Sequence, residues 1–463
     1  MNYIFAIILS AFLGAFLVLF FPRRIKPFAS VFMLSLTCFF SILAGFVLAK
    51  KGNLVFERYI SEWFNILFYA DGTAIFMSIV SSFVAFLISL YSLEYMRDYK
   101  NSGDFYFWMT LFVGSMMGLI FSANLVLMYC FWEITAICSW KLIGFYKKEE
   151  DLRAADRAFL TTFMGASLLL IGIVLIYLTY NSTDILFLRG KMLTNSIAFL
   201  LLMGIISKSA QLPLQTWLPE AGVAPTPVTA LLHAAVLVKI GVYAFARLFN
   251  LTFIVSPLFL KTTIFIAVTT IIVGAGSALV ENNIKRILAY STISQLGYIL
   301  LALAINTELS LKIALFYILA HSLAKAGLFL CAGIVEHKSG TKDINQLGGL
   351  VKTMPWVATA FLLSAFSIMG IPPFLGFWPK LMVILTMFNT GHVIGGVLAV
   401  VGAVFTVLYL LRVFGRVFLG ELKINVREVK NSPMVLVVLA FGILSLGLGL
   451  LFKIPFNLLD SVF

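Results

Sequence analysis

The chain has 463 residues, of which 61% are hydrophobic and only 11% are charged. Water-soluble domains are about half apolar and a quarter charged, so this composition excludes a soluble globule. The net charge of +13 does not indicate nucleic-acid binding, because the basic residues are scattered over short loops and form no basic stripe. The apolar residues come in blocks of about 20, the length of a membrane-spanning helix. The strands of a membrane barrel would instead show apolar and polar residues alternating in segments of about 10. The sequence therefore predicts an all-α polytopic membrane protein.

Fourteen candidate spans follow one another in what we interpret as a single transmembrane domain, residues 1–463. The N-terminal apolar block lacks a basic leader and a small-residue cleavage site, so it is predicted to be the first membrane helix and not a removable signal. We divide the domain into the first three helices (1–100), a first repeat (105–249), a second repeat (262–417) and a last helix (432–452). The predicted spans are 2–22, 27–49, 70–96, 105–122, 123–146, 158–180, 195–218, 228–249, 262–280, 288–306, 310–335, 353–389, 393–417 and 432–452.

Proline clusters interrupt the seventh and twelfth of these spans. One cluster follows Lys208 and the other precedes Lys380. Proline removes a backbone donor and breaks a membrane helix, which is tolerated only where protein or water surrounds the break. Paired discontinuous helices in two halves of a chain point to a transport site. Because the breaks lie five spans apart, an odd number, spans four to eight and nine to thirteen are predicted to form two inverted five-helix repeats.

The distribution of lysine and arginine predicts the orientation of the chain in the membrane. Loops after odd-numbered spans hold 19 basic residues, and loops after even-numbered spans plus the C-terminus hold nine. Basic loops face the cytoplasm. A multi-pass protein of the cell membrane with both termini outside is the expected arrangement.

Five lysines fall within spans: Lys141, Lys208, Lys239, Lys325 and Lys380. A charged lysine at the centre of a membrane helix costs about 3 kcal/mol on insertion scales, so such residues usually mark a function. A lysine near a helix end can instead extend its amine to the interface. That alternative leaves the role of Lys141 open, whereas Lys239 and Lys325 lie near the middle of their spans.

Acidic and imidazole groups accompany these lysines. Glu133 is the one carboxylate clearly deep in a predicted span, and His233 and His321 also lie within spans. Five lysines cannot all be charged and paired with one glutamate, so some are expected to exchange protons, as a relay requires. His321 and Lys325 are four residues apart and share a helix face. No metal site or cofactor in this chain is predicted, because neither a C-x-x-C pair nor a carboxylate at ligand spacing accompanies them.

Several segments together resemble one family. The chain is similar to the antiporter-like subunits of respiratory complex I, of Mrp-type Na⁺/H⁺ antiporters and of membrane-bound hydrogenase-type complexes over roughly residues 70–420. The segments that carry the resemblance are Phe131-Trp132-Glu133, Lys208 to Pro219 with Pro225-Thr-Pro227-Val, His233 to Tyr243, Asn283 to Tyr298, His321-Ser-Leu-Ala-Lys325-Ala, and Gly370-Ile-Pro372-Pro373 through Lys380.

The resemblance implies a fold, a set of roles and partners. It implies fourteen helices with two inverted repeats, and a subunit that works with other membrane subunits in the lipid bilayer. It implies that Glu133 and Lys208 are an input pair, that Lys239 and Lys325 are a central relay, and that Lys380 is the exit residue. Lysine at position 380, and a chain that ends just after the fourteenth span, make the resemblance to the D-type subunits of Mrp antiporters the strongest within the family.

Other classes of function remain as alternatives. A non-transporting scaffold subunit would use the same helices without moving ions. An anion carrier is disfavoured, because no arginine is expected deep in a span to bind a carboxylate. The chain is not expected to be an enzyme on its own, since any redox chemistry would belong to its partners. Protons are favoured over sodium, because deep spans supply few of the oxygen ligands that sodium needs.

Overall fold

The computed structural model describes residues 3–61, 64–428 and 432–460, and within them the chain is almost entirely helical. The first predicted span therefore extends one residue beyond the described part. Twelve helical segments of this part are long and apolar enough to cross a membrane. They are α1 (Tyr3–Phe20), α2 (Lys26–Lys51), α3 (Gly72–Tyr95), α4 (Ser102–Phe121), α5 (Leu125–Ile143), α6 (Glu149–Tyr180), the segment Thr226–Asn250, α11 (Pro257–Val280), α12 (Ile284–Ile305), α13 (Glu308–Ser339), α16 (Val393–Phe418) and α17 (Pro433–Leu450). The prediction of a multi-pass helical membrane protein is confirmed.

Two further predicted spans are broken. The seventh consists of α7 (Asn195–Lys208) and the one-turn α8 (Trp217–Glu220), and the twelfth of α14 (Pro355–Met369) and α15 (Phe377–Asn389). Both breaks occur at the proline clusters, as expected from the missing backbone donors. The breaks are partly exposed, at Pro213 and at Pro372 and Pro373. Hydroxyl groups satisfy part of the irregular backbone, because the N–H of Leu212 donates to Thr270 at 3.2 Å and that of Gly376 donates to Ser367 at 3.1 Å.

The segment Thr226–Asn250 is helical but irregular. It consists of α9 (Thr226–Ala230), a π-helical turn, α10 (Leu237–Phe245) and a second π-helical turn. At the junction before α10, Val236 has φ −124° and ψ −79°, outside the helical range. Such π-helical insertions often occur at functional sites. Here the first one contains His233, and the irregular junction at Val236 lies between His233 and Lys239.

The all-α prediction missed one hairpin. Strands β1 (Leu54–Ser61) and β2 (Phe64–Ala70) pair antiparallel between α2 and α3, with Leu54 opposite Ala70. A short amphipathic helix, α18 (Lys453–Asp460), follows α17 and was also not predicted. These elements lie between or beyond the apolar blocks, where hydropathy gives no signal for secondary structure.

The helices differ sharply in burial. Within the most apolar window of each, α12 and α13 are 94% buried and Thr226–Asn250 is entirely buried, whereas α2 and α16 are 28% and 33% buried. The three most buried elements, α12, α13 and Thr226–Asn250, therefore form the centre of the bundle. Most of the expected functional residues lie on α13 and Thr226–Asn250.

Candidate functional site

The first break positions Lys208 inside the bundle. Lys208 is the last residue of α7 and is fully buried. The indole of Trp217, after the break, donates to the Ser207 carbonyl at 3.0 Å and so satisfies a backbone oxygen that the interrupted helix leaves free. The Lys208 amine itself has no hydrogen-bond partner in the described structure and lies 5.6 Å from the ring centre of Trp132.

Glu133 lies on α5, next to Trp132. Its side chain is only partly buried, and its Oε1 atom has no hydrogen-bond partner among the described residues. Glu133 and Lys208 are close enough to influence each other electrostatically. The two groups predicted as an input pair are therefore neighbours, but they do not form a direct hydrogen bond in this conformation.

The centre of the bundle brings Lys239 of α10 against His321 of α13. The Lys239 amine contacts the Nδ1 atom of His321, and both side chains are almost completely buried. The other ring nitrogen of His321 has no partner in the described residues. A lysine and a histidine in direct contact, with no carboxylate bonded to either, form a pair between which a single proton can be shared.

Lys325 lies one helical turn along α13 from His321 and is bonded to neutral groups only. Its amine donates to the Leu288 carbonyl at 3.0 Å and to the Ser291 hydroxyl at 2.6 Å. Ser291 Oγ is in turn 2.6 Å from the hydroxyl of Tyr409 on α16. Lys325, which shares a helix face with His321, is thus connected through the hydroxyls of Ser291 on α12 and Tyr409 on α16 to two further helices.

Lys380 lies in the first turn of α15, directly after the second break. Its amine donates to the carbonyls of Ile368 at 2.5 Å and Met369 at 3.3 Å, at the end of α14. It also lies 5.4 Å from the ring centre of Tyr298. A lysine that bonds the last carbonyls of a helix caps it, so this residue has a structural role whatever its part in transport.

A polar face of α12, which was not predicted as functional, joins Lys325 to Lys380. Ser291 bonds Lys325, Tyr298 lies beside Lys380, and between them Gln295 accepts from the hydroxyl of Tyr317 at 2.7 Å. The three α12 positions are four and three residues apart, so they lie on one side of the helix. That spacing, inside an otherwise apolar helix, is the sequence signal that would have identified them.

His233 is buried and chemically isolated. Neither ring nitrogen has a hydrogen-bond partner in the described structure, and the ring stacks on Phe329 with centroids 4.3 Å apart. The charges of Lys239 and Lys325 both reach it. His233 thus lies beside the central lysines without contacting them through a described hydrogen bond.

Lys141 lies apart from the other four lysines. Its side chain is exposed on α5, with the amine 4.0 Å from the ring centre of Trp140. This is the placement expected of a lysine that extends from a helix end toward the interface. The structure therefore does not bring Lys141 together with the four buried lysines, Lys208, Lys239, Lys325 and Lys380, which we call the central row.

A buried ion pair at one end of the bundle was missed. Arg247 is 3% exposed, and its guanidinium donates to Asp71 at 2.5 and 2.9 Å and to the Tyr243 hydroxyl at 2.8 Å. Arg247 lies in the last turn of the segment Thr226–Asn250, so the expectation that no arginine lies deep in a span is not contradicted. Burial acts to raise the pKa of Asp71, which precedes α3, but the charge and hydrogen bonds of Arg247 outweigh it and lower that pKa. The carboxylate stays ionised, so Arg247 is already paired and not free for a substrate.

A second ion-pair cluster was also missed. Lys285 is 1% exposed and its amine lies 2.6 Å from Glu336, which also pairs with Lys342 at 3.2 Å. The amine of Lys285 donates in addition to the Ala224 carbonyl at 3.2 Å. This cluster connects α12, α13 and the chain just after the first break. In the described residues, no group of three or more histidine, cysteine or acidic side chains is arranged to hold a metal ion.

The fold and site define a class: a polytopic helical membrane protein whose two discontinuous helices and central helices hold a row of buried lysines. Residues 122–406 match the family model described as NADH:quinone oxidoreductase/Mrp antiporter, TM, and residues 61–106 match the one described as complex I chain 5 N-terminus. The chain belongs to the NADH:quinone oxidoreductase/Mrp antiporter transmembrane family, which confirms the resemblance.

Individual relatives agree with the family assignment. The chain is 36% identical over 437 residues to the chloroplastic NAD(P)H-quinone oxidoreductase subunit 5 of Adiantum capillus-veneris, covering 87% of this chain and 59% of that protein. It is 33% identical over 452 residues to the A-type subunit of the Na⁺/H⁺ antiporter of Bacillus subtilis, covering 89% of this chain and 56% of that protein. The chain thus spans less than two thirds of the length of these relatives. The closer likeness to the D-type Mrp subunits is not tested by them and stays a prediction.

A solved structure shares the fold. The Mrp complex from Dietzia sp. DQ12-45-1b contains a chain that superposes with a TM-score of 0.90 at 23% identity, covering all of this chain and 96% of that one. At this identity the likeness concerns the fold.

Proposed function

We propose that this protein is a proton-translocating subunit of a multi-subunit membrane complex, with Glu133, the four buried lysines and the two histidines as its relay. The observation that carries the proposal is that Lys208, Lys239, Lys325 and Lys380 are at most 4% exposed, and none forms a direct ion pair with a described carboxylate. An unpaired ammonium group inside a membrane protein is costly. Four such groups in one chain are best explained by groups that gain and lose protons.

The input side of the relay is Glu133 and Lys208. A carboxylate near an ammonium group stabilises its charged form, and moving the carboxylate away favours release of the proton. Glu133 is only partly buried, and it shares a face of α5 with the exposed Cys130 and Ile137. A neighbouring subunit on this face would be able to reposition Glu133 and so trigger release from Lys208.

From Lys208 the proton moves over waters to the Lys239–His321 pair and then to Lys325. Ser291, Tyr409, Gln295 and the tyrosines beside them supply hydroxyl and amide groups from Lys325 toward Lys380, the exit residue. The charges of Lys239, Lys325 and Lys380 all reach His321, which supports its position within the relay. These groups are mostly nitrogen donors and hydroxyls, which suit protons better than sodium.

The fourteen-helix arrangement with two inverted repeats is part of the proposal. Asn124 precedes α5 and Asn283 precedes α12, and each side chain caps its helix by accepting from the amides two and three residues on. Asn124 also pairs through its backbone with Asp184, and Asn283 pairs in the same way with Asp343. Both pairs have the same separation in sequence. Since five spans lie between them, these matching corners fall on opposite sides of the membrane, as inversion requires.

Replacing Glu133 with alanine tests the function directly. In inside-out vesicles from cells that carry the variant in place of the native chain, redox-driven and sodium-driven proton movement are both followed with a pH-sensitive dye. We expect coupled movement to fall at least tenfold while the amount of assembled protein is unchanged. Glu308→Ala is the matched control, because Glu308 is exposed and lies outside the row. Normal proton movement in the Glu133 variant would reject the relay.

The partners are identified by purifying the tagged protein in mild detergent and determining the chains that accompany it by mass spectrometry. Iron–sulfur or nickel-containing partners would place it in a redox complex, whereas small membrane subunits alone would place it in an Mrp-type antiporter. Recovery of an active chain without partners would reject the subunit proposal. The predicted orientation, with both termini outside, is checked by protease access to a terminal tag in sealed cells.

A further inference from the structure

A basic cavity near the ends of the first membrane-spanning helices is lined by none of the four buried lysines. It has a volume of about 520 Å³ and is formed where α1, α2, α3 and α4 meet at their ends. Three arginines line it: Arg23 and Arg24 in the α1–α2 turn, and Arg97 just after α3. We propose that this cavity binds the headgroup of an anionic phospholipid.

The arginines of the cavity form no ion pair with a described carboxylate. No carboxylate is among its lining residues. Arg24 and Arg97 form no ion pair or side-chain hydrogen bond within the described residues, and Arg23 uses one donor on the Tyr99 carbonyl at 2.9 Å. The nearby Glu94 is not in the lining, and its carboxylate accepts from the hydroxyl of Ser432. Arginine presents several donors in a planar fork that matches a phosphate group, so these side chains favour a phosphate ligand.

The walls of the same cavity are apolar. Phe28, Leu93 and Met96 line it beside the arginines, and Phe28 is 65% exposed in the first turn of the membrane-spanning α2. A free phosphate would gain nothing from this surface, whereas a phospholipid would place its headgroup at the arginines and its acyl chains along the apolar side. Basic pockets between membrane helices are known to suit anionic headgroups. The combination of three arginines and an apolar wall therefore selects a lipid over a soluble anion.

The proposed orientation agrees with this ligand. The cavity lies among the loops after the first and third spans, which the distribution of basic residues assigns to the cytoplasm. The cytoplasmic leaflet is the one that carries negative surface potential. Binding of a lipid headgroup in this cavity does not require that the protein translocate protons.

The test compares lipid binding by native and altered protein, extracted from its membrane with the chains that accompany it and washed free of loosely held lipid. Phosphatidylglycerol in mixed micelles, phosphatidylcholine and inorganic phosphate are added separately, and the thermal midpoint is measured. We expect phosphatidylglycerol alone to raise the midpoint by several degrees. In the double variant Arg24→Gln, Arg97→Gln the apparent affinity should fall at least tenfold. Arg416→Gln is the matched control, an exposed arginine near a helix end outside the cavity, and should respond like the native protein.

Three outcomes would overturn the proposal. They are an equal response to phosphatidylcholine, an equal response to inorganic phosphate, and a native response in the double variant. If the double variant does not fold, Arg24→Lys with Arg97→Lys keeps the charge but removes the planar fork. That variant is expected to bind phosphatidylglycerol several-fold more weakly, and unchanged binding would contradict the proposal.

Discussion

The buried lysines of the central row and the buried ion pairs at the ends of the bundle differ in their surroundings. Among the described residues, the hydrogen-bond partners of Lys239 and Lys325 are a histidine, a serine and a backbone carbonyl. Arg247 and Lys285, equally buried, each lie directly on a carboxylate. A paired charge is held in one protonation state, whereas an ammonium group without a carboxylate is free to exchange its proton.

The comparison separates two uses of buried charge in one chain. The ion pairs connect helices at the bundle ends, Asp71 before α3 with Arg247, and Lys285 of α12 with Glu336 of α13. The lysines of the central row instead bond to neutral groups or, for Lys208, have no hydrogen-bond partner among the described residues. Losing a paired charge should therefore reduce stability, and losing an unpaired one should reduce transport.

The largest effect is expected for Lys239→Met. This change removes a group of the proposed relay, so proton movement in vesicles should fall at least a hundredfold, since a positioned proton-transfer group contributes roughly 10² to 10⁴ in rate. Because no bonded carboxylate is left alone, the thermal midpoint should stay the same or rise. Lys261→Met, at an exposed position on α11, is the control and should leave both quantities unchanged. Undiminished proton movement in the Lys239 variant would contradict the proposal that the unpaired buried lysines serve transport.

Breaking the Asp71–Arg247 pair should have the opposite consequence. Asp71→Ala leaves a buried guanidinium without its carboxylate, which typically costs about 3–5 kcal/mol of stability. The double variant with Arg247→Met removes both charges and should recover part of the loss. Glu149→Ala, which breaks an exposed pair with Arg153, should cost no more than about 1 kcal/mol. The measurement is the thermal midpoint in detergent, and an additive double variant would show that the two residues are not coupled.

The sequence was sufficient to predict a multi-pass helical membrane protein and to find the buried lysines. Long apolar blocks predict helices directly, and a single charge within such a block stands out. Glu133, Lys208, Lys239, Lys325 and Lys380 were found in this way, although their roles remain predictions. The proline clusters likewise located both breaks.

The ion pairs and the polar face of α12 could not be read in the same way. Arg247 lies in the last turn of its span, where hydropathy does not separate it from a loop residue, and its partner Asp71 is 176 residues away in sequence. Serine is frequent where membrane helices pack together, and a single uncharged glutamine changes the hydropathy of a span much less than a lysine does, so Ser291 and Gln295 were not singled out by residue type. Only the helical spacing, or the fold itself, shows that Ser291 and Gln295 lie on one face of α12, where Ser291 bonds Lys325.

A smaller loss of stability is expected at the other ion-pair cluster. Glu336→Gln keeps the shape of the side chain but removes the charge that accepts from Lys285, and hydrogen bonds to charged groups contribute about 1.5–3 kcal/mol. The thermal midpoint should fall less than in Asp71→Ala, because the amide oxygen still accepts and Lys285 retains its bond to Ala224. Glu281→Gln, whose partner Arg286 is 44% exposed, is the control. A fall as large as that of Asp71→Ala would mean that the two clusters are equally dependent on charge.

The smallest effect is expected at the hydroxyl groups of the proposed relay. Ser291→Ala removes the side-chain acceptor of Lys325, and Tyr409→Phe removes the hydroxyl that Ser291 contacts. Each should slow proton movement about threefold to tenfold, the rate equivalent of losing a net hydrogen bond worth about 1 kcal/mol, because water can replace one hydroxyl but not an amine. Tyr290→Phe is the control, since Tyr290 is on the same helix outside this polar face. If Ser291→Ala and Tyr409→Phe lie on one route, the double variant should be no slower than the more affected single variant. Multiplied effects would instead place the two hydroxyls on separate routes, and an unchanged rate in all three would limit the exchanging groups to the lysines and histidines.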